Sequence, residues 1–333
     1  MKRNVVISAL LMGAACVTML TGFDSSKTVE DVLADYQQAA SAAQQGTADT
    51  TADLDCTLEI PSMSSSFGVT ANVDLPMSVI QEPLQVGMDG TVSMSLLGEQ
   101  VEAGMKLYLV TEEDGSISTY VYSSETDAET GEAVGEWEHS VLDAETAAQV
   151  MAAAQNTTID FSSLPVELTL ADAAVDVNGT ECYELSAALT AEDIPALYEY
   201  VAQTVAAMDA EAAAELPSSE ELQSVLPYLQ GLVVNMTLDI DTATSLPVRM
   251  HMDMDGSDWS ILEPVLASAM DLVDEEGNPM DLSLTFNTFS IDTAFDYTSE
   301  VTITVPEEAL ATPVTDDLSA ESIESLADEA LAG

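Results

Sequence analysis

The sequence predicts an α+β fold, a curved antiparallel sheet with helices held against its one apolar face. Three observations predict it. Between residues 54 and 137, apolar and polar residues alternate in short runs punctuated by Pro76, Pro83, Gly90, Gly98 and Gly115, as half-buried strands do. Other segments repeat apolar residues at helical spacing, so helices are inserted between hairpins. Most strands are joined by short turns, which antiparallel pairs permit and parallel βαβ winding does not.

The first helix is expected over residues 28–45. Thr28 and Asp31 have capping-box spacing, and Val29, Val32, Leu33, Tyr36, Ala40 and Ala43 share one face. A connection rich in Ser, Thr, Ala and Gln follows. In the meander, Val92, Met94 and Leu96 point one way while Thr91, Ser93 and Ser95 point the other; Met105, Leu107 and Leu109 repeat the device. Turns are expected at Gly98-Glu99-Gln100 and at residues 112–115. Residues 144–154 read as a helix capped by Asp143. Strands follow at 166–170 and 182–189, with Asn178-Gly179 as an available turn.

Thr190 and Asp193 then cap a long helix striped by Ile194, Leu197, Tyr198, Val201, Val205 and Met208. A shorter helix, 219–230, kinks at Pro227 and ends at Gly231. The clearest hairpin spans 232–255: Val234, Met236, Leu238 and Ile240 face inward, opposed by Val248, Met250, Met252 and Met254, while Asn235, Thr237, Asp239 and Asp241 on one strand and Arg249, His251, Asp253 and Asp255 on the other face out. A helix near Ser257, carrying Ile261, Leu262, Val265, Leu266 and Met270, precedes strands at 281–286, 289–297 and 301–305. The acidic tail after Pro306 is expected to be partly disordered, with a small helix at 319–330.

Lys2 and Arg3 followed by an apolar run from Val5 to Leu20 read as an export signal over residues 1–23, with a retained membrane helix as the competing reading. The organisation expected is signal 1–23, one domain 24–306 and tail 307–333, placed outside the cytoplasmic membrane. The charge is extreme. Sixty acidic residues stand against five basic ones, and beyond the signal the basic residues are Lys27, Lys106 and Arg249. Phosphate backbones are repelled, which excludes nucleic acid as a direct partner, and anionic lipid surfaces are repelled likewise. Membrane attachment would come only through the signal or a lipid anchor. With 47% hydrophobic residues, the chain reads as a folded domain with an acid coat rather than a disordered one.

No catalytic constellation is evident. His139 and His251 are far apart and read as surface histidines; no cysteine pair has ligand spacing, so neither a metal site nor a cofactor is expected. No serine sits in a nucleophile elbow, and no Gly-rich loop leads from strand to helix. Carboxylate pairs are too common among sixty acids to identify a dyad. Residues 253–258 look superficially like a calcium loop, but the glycine falls fourth where an EF-hand needs it sixth. Cys56 and Cys182 form either one disulfide or two buried thiols.

Methionine is the most suggestive residue: thirteen of the sixteen lie beyond residue 23. Met88, Met94, Met105, Leu107, Met236, Leu238, Met250, Met252 and Met254 are expected on inward strand faces, where flexible thioethers suit an adaptable apolar cavity. Core filling, with methionine standing in for scarce aromatics, is the plainer account.

The signal followed by SSKTVEDVLADYQQA (residues 25–39), VNGTECYEL (177–185) and LDIDTATSLPVRMHMDMDG (238–256) together resemble secreted bacterial lipoproteins of the LolA and LppX/LprG-like group, in particular its Firmicutes-type family of unknown function. The resemblance spans roughly residues 25–306. It implies a half-barrel of antiparallel strands closed by helices around an apolar cavity that carries lipids or lipoproteins in some relatives, with no catalytic residues to transfer. The LTGF at residues 20–23 lacks the cysteine of the group's LTGC-type anchor. Either the anchor is Cys16, after Ala14-Ala15, or the protein is released by cleavage near Gly22. Two functions are expected from this: a non-enzymatic envelope protein holding a lipid or other hydrophobic ligand, or an acidic interaction module with a solid core.

Overall fold

The computed structural model describes residues 28–61, 65–96, 99–126, 133–148, 166–208, 216, 218, 222–223, 226–263, 266 and 281–318. The expected signal, Cys16, Gly98 of the turn expected at 98–100, most of the helix expected at 144–154, parts of the helices expected at 219–230 and after Ser257, and the helix expected at 319–330 lie outside these residues. The described parts of the two middle helices include short 3-10 turns, Leu226–Tyr228 and Trp259–Leu262, where continuous helix is expected.

Two meanders make one open, curved sheet. The first runs through β1 (Gln45–Ile60), β2 (Ser65–Ile80), β3 (Gln85–Leu96), β4 (Glu99–Thr111), β5 (Ile117–Thr126) and β6 (Ala133–Leu142), each pairing with the next. The second comprises β7 (Thr169–Leu170), β8 (Val175–Val177), β9 (Thr180–Thr190), β10 (Val233–Asp241), β11 (Pro247–Asp253) and β12 (Ser283–Asp296). β12 returns to lie antiparallel to β1, and that long-range pairing zips the meanders together. β13 (Asp316–Leu318) adds to the outer edge of β6, and this pair is parallel.

Turn chemistry fixes the register. Asn178 and Gly179 have φ of 54° and 89°, the left-handed pair that closes a two-residue hairpin between β8 and β9. At 242–246 the side chain of Asp241 accepts from the Ala243 amide and the Thr244 hydroxyl, holding the β10–β11 turn.

The first helix, α1 (Val29–Ala42), starts where its capping box ends: Thr28 Oγ1 accepts from the Asp31 amide, and the Asp31 carboxylate accepts from the Thr28 amide at 3.0 Å. Its apolar stripe, Val32, Leu33, Tyr36 and Ala40, packs on Leu185 of β9 and Ile240 of β10. The second helix, α2 (Ile194–Met208), follows β9, with Asp193 accepting from the Thr190 amide and hydroxyl.

Directly opposed residues of antiparallel strands share a face, so the pairings show that three clusters pack on one face of the sheet. One is the α1 cluster. The second joins Val86, Leu109, Ile117 and Leu142 to Ala147 in the helical turn at 144–148, whose start is capped by Asp143 accepting from the amides of Glu145 and Thr146. The third joins Leu58 and Leu282, with Phe67, Leu266 and Leu284 around them, at the far tip of β1.

Several expectations need correction. β1 begins at Gln45, so the stretch read as a connection is strand; it alternates Ala and Thr against Asp without large apolar residues, and its partners on both sides supply the burial. The strands expected at 281–286 and 289–297 are one strand with a register shift, at which Asn287 is the extra residue and donates to Asp55. Residues 301–305 are not a strand. They follow the end of β12, with Val301 buried and Ile303 beside Gly87 and Tyr108, on the face opposite the three clusters. Residues 307–318, read as tail, hold a helical turn (Glu307–Leu310) with Ala309 fully buried, and then β13.

Cys56 and Cys182 are free, buried thiols. They lie on opposite faces of strands four spacings apart in the sheet order, about 19 Å at ~4.8 Å per strand, far beyond disulfide reach. Burial raises the Cys56 thiol and pushes Cys182 up to about 11, aided by Asp239, Asp241 and Asp176. Alkylation at pH 8 is therefore expected to be slow in the native protein and fast after denaturation, since about one Cys182 in a thousand is thiolate there. A native rate equal to the denatured rate would contradict this burial. The linkage has the matching sign: as pH rises past the unfolded thiol's pKa, the unfolded chain releases its proton first, so stability declines between that value and about 11.

Candidate functional site

Between the three clusters, the same face carries a central strip of half-exposed apolar residues. One row crosses seven strands through Met236, Met252, Ile291, Ala52, Val73, Val92 and Ala103, each opposite the next. A parallel row runs from Leu238 and Met250 through Thr293 and Thr50 to Leu75. Leu75 lies over Gly90, which has no side chain to displace it, and Gly90 pairs with Met105. The one polar interruption is closed on itself, since the Thr50 and Thr293 hydroxyls bond each other at 3.0 Å.

Two further rows flank these. Met77, Met88, Leu107 and Val121 lie toward the 144–148 turn, and Leu54, Ala71, Met94 and Val101 lie toward the β1 tip. Met94 and Val101 are 44% and 47% exposed, the openest apolar side chains of the strip.

Eight of the nine residues singled out from the sequence thus share this face: Met88, Met94, Met105, Leu107, Met236, Leu238, Met250 and Met252. Within it their positions differ. Leu107 is buried and Leu238 packs against the α1 cluster, so they support the strip rather than surface it. Met254 lies beyond the end of β11, at a recess of about 140 Å³ shared with Trp259 and Phe286, whose rings stack at 3.8 Å. A larger recess of about 410 Å³ sits at the end of the meander, between Leu84, Asp114, Ile117 and Ala147. The residues singled out from the sequence did not include Val73, Leu75, Val92 or Ile291, although alternation already sets Val92 on the face of Met94. Branched apolar residues in alternating strands read the same whether the face they line is packed over or left half-open.

The opposite face is polar. His251 is held between two carboxylates, its Nδ1 2.9 Å from Asp292 Oδ1 and its Nε2 3.3 Å from Asp253, rather than standing free on the surface. His139 stacks on Tyr120 at 4.3 Å, and its Nδ1 lies 3.1 Å from the Thr312 carbonyl. Asp239 is fully buried; its Oδ2 accepts from Arg249 Nε at 2.8 Å, and its Oδ1 has no partner. At the end of β12, Asp296 is lowered to about 2 by hydrogen bonds from Ser299 and Thr298, which tie down the turn. Among the described residues, no three His, Cys, Asp or Glu side chains gather to hold a metal ion, and no helix is long and apolar enough to cross a membrane.

No protein-family model and no curated protein matches the chain. Among solved structures, it is similar to the Mycobacterium tuberculosis lipoprotein LppX, with a TM-score of 0.33 and 11% identity over 83% of this chain and 100% of that one. It is likewise similar to LprF from Mycobacterium bovis, with a TM-score of 0.33 and 10% identity over 84% of this chain and 96% of that one. A beta-barrel-like protein from Brucella abortus matches with a TM-score of 0.15 and 7% identity over 74% of this chain and 95% of that one. LppX carries the name of the group that the sequence resembles.

Proposed function

We propose that the protein is a non-enzymatic extracytoplasmic carrier that holds a lipid or other hydrophobic ligand against the central strip of its sheet. The observation that carries this reading is the unbroken apolar row from Met236 to Ala103. Its seven strands span about 29 Å, long enough for an extended acyl chain laid across them. A single-domain core needs no half-exposed strip of this length, and contiguous exposed apolar surface on a soluble protein commonly marks a binding site. Recognition would be by shape and apolar area. Methionine suits it, because an unbranched thioether can repack around chains of differing length.

Lipid in the strip would also account for the acid coat. A carrier repelled by anionic membrane surfaces does not spread its apolar face on them, so exchange is confined to oriented encounters. Attachment would be through Cys16, or absent after cleavage near Gly22, and the mass of the mature chain distinguishes the two.

The test is native mass spectrometry of protein purified from its own producing cells. Separable lipid mass is expected on the parent chain. Met252→Glu sets a carboxylate in the middle of the long row, where displacing water from the charge costs several kcal/mol, so about a tenfold or greater loss of bound lipid is expected. The half-exposed position leaves the fold intact. Parent protein free of lipid at gentle activation, with no lipid raising its melting temperature, would sink the carrier reading and leave the acidic interaction module standing.

A further inference from the structure

The polar face carries a concentration of aromatic rings that neither the core nor the strip uses. One row across four strands reads Asp89 on β3, Lys106 on β4, Tyr122 on β5 and Trp137 on β6. Tyr108, two residues on from Lys106, joins it. The Tyr122 and Trp137 rings are 5.2 Å apart at 44°, and Tyr108 and Trp137 are 6.1 Å apart at 38°. All three are half-exposed.

Cross-strand aromatic pairs stabilise sheets, so packing alone must be weighed first. The neighbouring pair shows what packing looks like here: Tyr120 is 5% exposed, and its stacked partner His139 is tied down by the C-terminal segment through Thr312 and Thr315. Tyr122 and Trp137 are arranged differently, while Tyr108 at the margin has Ile303 of the C-terminal segment on its β3 side. A Cβ at Gly135 would stand 2.5 Å from Tyr122 Oη and 2.6 Å from its Cζ, so the glycine lets the phenol lie down along β6. A ring lying against the backbone has one face turned outward. With the tilted indole beside it, this makes a shallow cradle.

At the edge of that cradle sits Lys106, one of three basic residues beyond the signal. Its Nζ donates to Asp89 Oδ2 at 2.6 Å, and the two side chains are 35% and 54% exposed. The ammonium keeps two further protons and the carboxylate several lone pairs for outside partners. Flat apolar faces next to a charged donor and acceptor match one ligand chemistry well: a sugar ring, whose C–H face stacks on an aromatic while its rim of hydroxyls bonds to charged groups.

We propose that Tyr108, Tyr122 and Trp137, with the Asp89–Lys106 pair, form a binding site for the pyranose rings of an uncharged glycan. The surrounding acid coat selects against uronic or phosphorylated sugars by repulsion. The site lies on the face opposite the central strip and stands whether or not that strip carries lipid.

Isothermal titration of the full chain with cellopentaose and with a pentamer of β-1,4-linked N-acetylglucosamine tests this, with an oligogalacturonate as the charged control. Saturable binding of at least one neutral glycan is expected at about 0.1–1 mM, with no binding of the uronate. Trp137→Ala and Tyr122→Ala are each expected to weaken it about tenfold or more while leaving lipid loading unchanged. Should either variant fail to fold, Lys106→Met, which removes a surface group, is expected to weaken binding several-fold. No binding of either neutral glycan at about 10 mM, equal binding of the uronate, or parent-like affinity in the folded variants would each overturn the proposal.

Discussion

Tyr36→Ala is expected to lower the stability of the domain by about 3–5 kcal/mol, read as a fall in the denaturation midpoint. The ring is 2% exposed and sits between Val32, Leu33 and Ala40 on the one face that α1 presents to β9 and β10. Truncation removes the transfer energy of a whole aromatic side chain and leaves a cavity walled by strand residues that cannot collapse into it. Ladder hydrogen bonds fix Leu185 and Ile240 on neighbouring strands.

The hydroxyl is a smaller part of the effect. Burial, and then the nearby Tyr297, raise its proton affinity well above the ordinary phenol range, so it stays neutral at any working pH. Tyr36→Phe is accordingly expected to cost about 1 kcal/mol, the net worth of one hydrogen-bonding group. Gln38→Ala, on the exposed side of the same helix, should stay within about 0.5 kcal/mol. A Tyr36→Ala cost as small as that of Gln38→Ala would mean that α1 is not held by its apolar stripe.

The parts of this fold legible in the sequence were those where a local signal and the tertiary structure agree. Thr28 and Asp31 announced the start of α1, Asn178-Gly179 announced the β8–β9 turn, and the alternation from Thr91 to Ser95 and from Val234 to Ile240 gave both the strands and the face they bury. The segment 45–53 failed because its strand character is borrowed: Ala48, Thr50 and Ala52 are small, and Met77, Leu75 and Val73 opposite them bring the apolar area. Asn287 looked like a strand break because a bulge and a break read alike when only one strand of the pair is visible. Residues 301–305 alternate like a strand, yet their apolar side goes to the polar face around Gly87 and Tyr108, where no ladder partner was evident from sequence.

The candidate site divides the same way. Strand alternation identifies which side chains share the apolar face. Which stretch of that face is packed over by α1 or by residues 144–148 is a question of long-range docking, and no residue spacing encodes it. The polar face hid its two most specific features for a related reason. Tyr122, Trp137 and Lys106 come from three different strands, and Asp239 and Arg249 each read as an ordinary outward residue of the β10–β11 hairpin.

Arg249→Met tests the second of those features, and it is expected to destabilise the domain by about 3 kcal/mol. Asp239 is completely buried, and the Arg249 guanidinium is the partner that offsets its charge. Removing the arginine strands a carboxylate that already has one oxygen unpaired. Because the arginine side chain is itself 41% exposed, water reaches the pair from one side, and the loss falls at the low end of what breaking a buried pair costs. Asp239→Leu alone should cost less, since it removes the buried ion and leaves a guanidinium that water already reaches. The double variant Asp239→Leu with Arg249→Met should recover most of the stability, because an apolar pair of similar volume carries no desolvation penalty. The cycle separates two accounts of why a chain with sixty acidic residues and so few basic ones keeps an arginine here. A large coupling energy means that Arg249 is retained to neutralise Asp239. Additive losses would mean that it contributes through the packing of its aliphatic stem, and the ion pair would be incidental.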